Sequence, residues 1–186
     1  FWRNDMSDKT SGLLAHNEDL ERLTIKSIED ALAFLLEYKE FDAISITELC
    51  KKAGVSRTAF YSHFKTKEDV IDAVNLEVVH MVIEKEYTKF DSNTADYSFY
   101  MGIFTILEQR IDTMRIFVSK GFQYRPVYGF YLSMRLQHVS QEERQKKLVW
   151  FAALEGLIFD WLKDKDRKDK ETISRFCVEK LTPILF

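Results

Sequence analysis

The sequence predicts an all-α protein, and three observations carry that expectation. Apolar residues make up 46% of the 186 residues and charged residues 31%, the balance of a soluble globular chain rather than a disordered one. Only 6 Gly and 2 Pro interrupt it. Long apolar patterns with a 3.6-residue period fill the stretches between them. No apolar run reaches the ~18 residues that suggest a membrane span, and no secretory signal is visible. The cytoplasm is therefore the expected compartment, and no membrane partner is expected. Cys50 and Cys177 lie on helical patterns, where a small buried hydrophobe is the ordinary reading; they form neither a disulfide framework nor a metal site. Residues 1–5 precede Met6 and play no part in the functional reading.

The first helix is predicted from about Asn17 to Tyr38, where Leu20, Ile25, Ile28, Ala31, Leu32, Leu35 and Leu36 recur at three- and four-residue steps. Phe41 and Ile44 return the chain to the core. Ser45 then opens a short helix, and Glu48 completes a capping box in which the serine hydroxyl meets a backbone amide and the carboxylate reaches back to the cap. Leu49, Cys50 and Ala53 face inward, and Gly54 ends the helix because it takes positive φ at low cost. Val55 anchors the turn and Ser56 caps the next helix, Arg57 to about His63, whose buried face is Phe60 with Phe64. Thr66 caps a further helix with Asp69 at the reciprocal position, and Val70, Val74, Val78 and Met81 carry it past Glu86.

Asp91 to Ala95 reads as a connection. The aromatic-rich remainder shows helix patterns over roughly Asp96–Ser119, Tyr124–Val139, Glu142–Lys163 and Lys170–Leu181. The mixed-sign run from Lys163 to Glu171 reads as a solvated connection. Pro126 and Pro183 each mark a first turn, a kink or an end.

Charge singles out one segment. From Lys51 to Lys67 the chain holds Lys51, Lys52, Arg57, Lys65 and Lys67 without a single acid, against a formal net charge of -3 overall. Local cationic excess on a mildly acidic protein suits an edge that contacts phosphates. Two short helix patterns flank the glycine turn in this segment, so it reads as a helix-turn-helix.

The run from Phe41 to Val70, FDAISITELCKKAGVSRTAFYSHFKTKEDV, resembles the DNA-binding domain of the TetR family of bacterial regulators. The resemblance rests on the aromatic before the first capped helix, the AGVS turn at Ala53–Ser56, the F-Y-x-H-F at Phe60–Phe64 and the K-x-K-E-D start at Lys65–Asp69. It implies an N-terminal helix-turn-helix DNA-binding domain over residues 17–66 and a C-terminal helical effector-binding and dimerisation domain over residues 67–186. The second helix of such a motif lies in the major groove with its N-terminal residues at base edges. Arg57 then meets guanine or phosphate, and Thr58 and Ala59 meet base edges or a thymine methyl. Tyr61 and Lys67 are implied phosphate contacts, with Ser45 and Thr47 reaching the backbone from the first short helix. Ser56, Ser62, His63 and Lys65 complete the expected DNA-facing set. For Lys51 and Lys52, direct contact and an ordinary solvated face stay open.

Departures from the family pattern also matter. Glu40 stands where glycine is common, which predicts a differently shaped or mildly strained turn, and Cys50 stands where alanine is usual. Thr58 and Ala59 take positions often filled by glycine and threonine. Both lie in the reading helix, so no operator sequence carries over.

The segment Lys147 to Leu162 resembles a dimer-forming helix of the same family. Small Ala152, Ala153 and Gly156 permit close approach, Leu157 and Trp161 add apolar area, and Phe176 on the last helix completes an isologous four-helix interface with a second copy. The family also implies a small-molecule pocket. Phe99, Tyr100, Phe104, Phe117, Tyr124, Tyr128, Tyr131 and Trp150 are its expected lining, and Arg125 is placed to pair with a carboxylate. Aromatic residues at helical spacing also read simply as core. The implied function is a homodimeric, sequence-specific repressor released from a palindromic operator by a small molecule. The alternative is a co-regulator or activator whose C-terminal half binds a protein. No nucleophile elbow, phosphate loop or paired metal-ligand motif supports an enzyme, and no cofactor is expected.

Overall fold

Caps and apolar stripes decide where these helices begin and which faces they bury. A computed structural model describes residues 4–82, 95–122, 136 and 139–186, with side chains from residue 16 onward. The described residues form eight α-helices and two 3-10 turns, with no strand among them. They are α1 (Asn4–Tyr38), α2 (Ile46–Ala53), α3 (Arg57–His63), α4 (Glu68–Val82), α5 (Tyr97–Glu108), α6 (Ile111–Ser119), α7 (Gln141–Lys163) and α8 (Lys170–Lys180). Single 3-10 turns occupy Phe41–Ala43 and Thr182–Leu185. The chain separates into two compact units, residues 1–71 and 72–186, with the division inside α4.

In the first unit, Ile28, Leu32 and Leu36 of α1 join Ile44, Leu49, Phe60, Phe64 and Val70 in one buried core. Burying side chains of this size stabilises the fold by about 1.5–3 kcal/mol each. Helix α1 starts well before Asn17, and Leu20 is exposed rather than in the core. An apolar stripe can outrun the elements that cover it. Glu40 sits at φ -73°, ψ 148°, an ordinary extended conformation, so the missing glycine leaves no backbone strain at that residue.

In the second unit, α5 is buried over most of its length by Phe99, Tyr100, Ile103, Phe104, Ile106 and Leu107, and α8 lies against it. Trp150 of α7 donates its indole N–H to the Tyr100 hydroxyl at 2.9 Å. That hydroxyl lies 3.3 Å from Thr182 Oγ1, and Thr182 donates on to the Ala95 carbonyl at 2.6 Å. A buried polar chain thus ties α5, α7 and the last 3-10 turn together, with its groups partnered as burial demands. Pro183 stands in the first turn of that element.

One expectation needs correction here. The single helix over Asp96–Ser119 is in fact α5 and α6, broken at Gln109 and Arg110. No glycine or proline marks the break; Arg110 is drawn toward Glu77 of α4 at 3.4 Å, a tertiary contact that periodicity cannot register. The run from Lys163 to Glu171 holds the expected connection, largely exposed over residues 164–169, and side-chain contacts tie its ends down. Trp161 donates to the Lys168 carbonyl at 2.7 Å, the Arg167 guanidinium stands 5.3 Å from the Trp161 ring, and Lys170 pairs with Glu108 at 2.7 Å. The connection expected at Asp91–Ala95 and the helix expected over Tyr124–Val139 fall largely outside the described residues, as does Pro126.

Candidate nucleic-acid interface

Helix α2 begins where Ser45 Oγ accepts the Glu48 amide at 3.2 Å. The Glu48 carboxylate does not turn back to the cap as a capping box requires; it pairs with Lys39 at the end of α1, an opposite charge that outcompetes a backbone amide. At the other end Gly54 takes φ 71°, ψ 25°, and the Val55 amide donates to the Cys50 carbonyl at 3.0 Å. This left-handed closure reverses the chain within two residues. Ser56 then accepts the Ala59 amide at 3.0 Å and starts α3.

Only seven residues long, α3 is held by one fully buried side chain, Phe60, whose ring meets Phe64 at 5.8 Å and Tyr61 at 5.4 Å. The opposite face is open: Arg57, Thr58, Tyr61 and Ser62 are exposed, and Ala59 is half-buried. Arg57 donates to Thr47 Oγ1 of α2 at 3.2 Å and lies 5.8 Å from the Tyr61 ring, so the guanidinium is oriented rather than free to sweep. Ser62 donates to the Ala59 carbonyl at 2.8 Å. His63 is largely covered, with Nδ1 3.6 Å from Glu21 Oε1.

The cations of the segment divide. Lys51 and Lys65 are exposed, while the Lys52 ammonium stands 3.2 Å from the centroid of Phe34 on α1. Lys67 is half-buried, and its ammonium donates to the carbonyls of Phe41 and Ile44. None of these internal partners was legible from spacing, because each lies on another element. Beside Lys67, the Lys65 and Thr66 amides donate to Asp69 Oδ2 at 2.8 and 2.9 Å, and the Asp69 amide donates to Thr66 Oγ1 at 3.2 Å. The Thr66 amide foremost, then that of Lys65, holds the Asp69 carboxyl below its ordinary range.

The expected pocket residues behave differently. Phe99, Tyr100 and Trp150 pack on one another with centroids 5.3–6.4 Å apart, Phe104 meets Trp161 at 5.0 Å, and Phe117 meets Phe122 at 6.2 Å. Tyr124, Arg125, Tyr128 and Tyr131 lie outside the described residues. A crevice of about 30 Å³ runs among Val78, Val82, Ile103, Leu107, Leu154 and Ile158, with Glu155 as its polar member. That is room for a water or two, and none of the expected pocket residues lines it.

On α7, Ala152 and Gly156 are exposed, and Ala153 and Leu157 are half-buried. Val149, 58% exposed, continues the same face at three- and four-residue steps. Phe176 of α8 is 36% exposed, whereas Trp161 is buried in its own chain.

A capped helix, a glycine turn and a second capped helix with an open polar face define a helix-turn-helix DNA-binding protein. A profile of "Bacterial regulatory proteins, tetR family" matches residues 28–74, the stretch that contains this unit. Residues 28–74 thus carry a DNA-binding domain of the TetR type. The chain is 32% identical over 76 residues to the transposon Tn10 TetC protein of Escherichia coli, covering 41% of this chain and 39% of that one. It is 41% identical over 58 residues to the HTH-type transcriptional regulator EthR of Mycolicibacterium smegmatis, covering 31% and 25%. With the dhaKLM operon transcriptional activator DhaS of Lactococcus lactis it shares 23% over 100 residues, covering 54% and 49%. The chain thus spans half or less of the length of these relatives. The crystal structure of a TetR transcriptional regulator from Streptococcus agalactiae shares the fold, with TM-score 0.50 and 15% identity over 90% of this chain and 98% of that one. No described helix is long and apolar enough to cross a membrane.

Proposed function

We propose that this protein is a homodimeric, sequence-specific DNA-binding repressor of the cytoplasm, released from a palindromic operator by a small molecule. One observation carries the reading: α3 buries Phe60 and turns Arg57, Thr58, Tyr61 and Ser62 outward. Arg57 reads guanine or holds phosphate, Thr58 and Ala59 meet base edges, and Tyr61, Ser45, Thr47, Ser56, Ser62, His63 and Lys65 bind the backbone. One seven-residue helix makes few contacts, so two copies on a palindrome supply the phosphate neutralisation and fix the half-site spacing. Residues 17–66 act as the head, and residues 67–186 as the pairing and sensing body. Ala152, Gly156 and Phe176 form the contact between copies, with Ala153, Leu157 and Trp161 behind them. An effector held by the second half lowers DNA affinity by the difference between its binding to the two states.

The test is a gel-shift titration of the full chain, with and without candidate effectors. Retarded duplex that a small molecule releases supports the reading; retention indifferent to sequence and salt refutes it. A second reading, an activator or co-regulator with a protein partner, draws support from the likeness to DhaS, described as an activator. Stable capture of a protein partner with no ligand-induced loss of DNA binding favours it.

A further inference from the structure

We infer that Lys67 is a positioning residue of the DNA-binding head rather than a phosphate contact, an inference that rests on the function just proposed. The family resemblance implies a phosphate contact for this lysine at its helix start. Its side chain turns inward instead. The Lys67 ammonium donates to the Phe41 carbonyl and, at 3.1 Å, to the Ile44 carbonyl, and it stands 4.2 Å from the Phe41 ring centroid. Two charge-assisted hydrogen bonds and a cation–π contact occupy one cation.

What these contacts hold is the entrance to α2. The 3-10 turn Phe41–Ala43 is closed by the Ala43 amide on the Glu40 carbonyl at 3.0 Å and the Ile44 amide on the Phe41 carbonyl at 3.1 Å. Phe41 O therefore accepts from both Ile44 and Lys67. The next residue is Ser45, which caps α2, and two residues on is Thr47, which holds Arg57. Lys67 itself sits on a rigid base, since the Asp69 carboxylate gathers the Lys65 and Thr66 amides just before it. The start of α4 thus sets where the start of α2 lies, and through Thr47 where Arg57 points. Taking the Lys67 charge out of the phosphate-facing set leaves Arg57, Lys51 and Lys65 as the main source of salt dependence.

Two variants of the full chain test this. Lys67→Met keeps the aliphatic stem over Phe41 and removes the cation; Phe41→Leu removes the ring beneath the ammonium and no charge. Both are compared with the wild type by duplex titration across salt, well below their melting temperatures, and by amide hydrogen exchange without DNA. Lys67→Met should bind the duplex about tenfold more weakly, the scale of one lost hydrogen bond to a charged group, and Phe41→Leu about two- to fivefold more weakly, the scale of a lost cation–π contact. The slope of log affinity against log salt should stay that of the wild type, and the Ala43, Ile44 and Glu48 amides should exchange faster. A slope shallower by about 0.9 per protomer in Lys67→Met alone marks a lost phosphate contact and overturns the inference. Lower melting temperatures with unchanged affinity of the folded protein mark a merely structural lysine and overturn it too. A wild type without salt-sensitive duplex binding sinks the DNA-binding reading, a failure visible before any variant is made.

Discussion

Replacing Gly156 with leucine separates what α7 does inside one chain from the role proposed for it in pairing two copies. Gly156 lies in the interior of α7 and is exposed, and a Cβ added there meets no heavy atom within 4 Å. Nothing in its own chain resists the substitution. Helix propensity alone makes it favourable by about 0.5–1 kcal/mol, because glycine in a helix interior is worse than most residues by that amount. A partner helix packed over Ala152 and Gly156 changes the sign. Forcing a leucine into a close helix crossing costs about 1–3 kcal/mol by overpacking, and each 1.4 kcal/mol is tenfold in dissociation constant. Gly156→Leu should therefore raise the melting temperature of the dilute protein while weakening dimerisation by about tenfold to a hundredfold. Sedimentation equilibrium across a concentration series reads the second effect, and thermal melts at low concentration the first. A dimer of unchanged affinity would refute the assignment of this face, whatever the melting temperature does.

Other contacts in the molecule give further outcomes. Tyr100→Phe strips the acceptor from the buried Trp150 indole and should cost about 1–3 kcal/mol in urea unfolding; a neutral result would show that the polar chain through Thr182 contributes nothing. Arg57→Ala should weaken duplex binding while leaving the dimer intact in light scattering, and unchanged affinity removes Arg57 from the interface. Depressed carboxyls at Asp69, held chiefly by the Thr66 amide, and at Asp96, held chiefly by the Phe99 amide, add stability that is complete above the ordinary carboxylate value and is lost as pH falls through their lower folded values. Asp69→Asn should flatten that acid limb, and an unaltered limb contradicts the assignment. Burial pushes the Cys177 thiol up to about 12 and raises that of Cys50 as well, so neither should react with a thiol reagent at pH 8 until the protein unfolds.

The parts of this fold that the chain announces are those decided within four residues. Ser45, Gly54 and Ser56 each act on a backbone amide or carbonyl close by, so their caps and turns were readable from the residue types alone. The stripe through Ile28, Leu32 and Leu36 was equally plain. What escaped was set by partners far along the chain. The break at Arg110 follows Glu77, the Glu48 carboxylate prefers Lys39, and Lys67 reaches back to Phe41 and Ile44. The candidate interface shows both cases. Its outward face follows from helical geometry once Phe60 is buried, whereas the aim of Arg57 depends on Thr47, ten residues away on another helix.

Selection from a random duplex pool probes the central claim most directly: purified protein retains DNA, and the retained molecules are sequenced. An inverted repeat should emerge, its two halves separated by about one helical turn or a multiple of it, and its retention should fall steeply as salt rises. A pool that stays random after repeated rounds, at a salt concentration where the protein is folded and paired, would contradict the account.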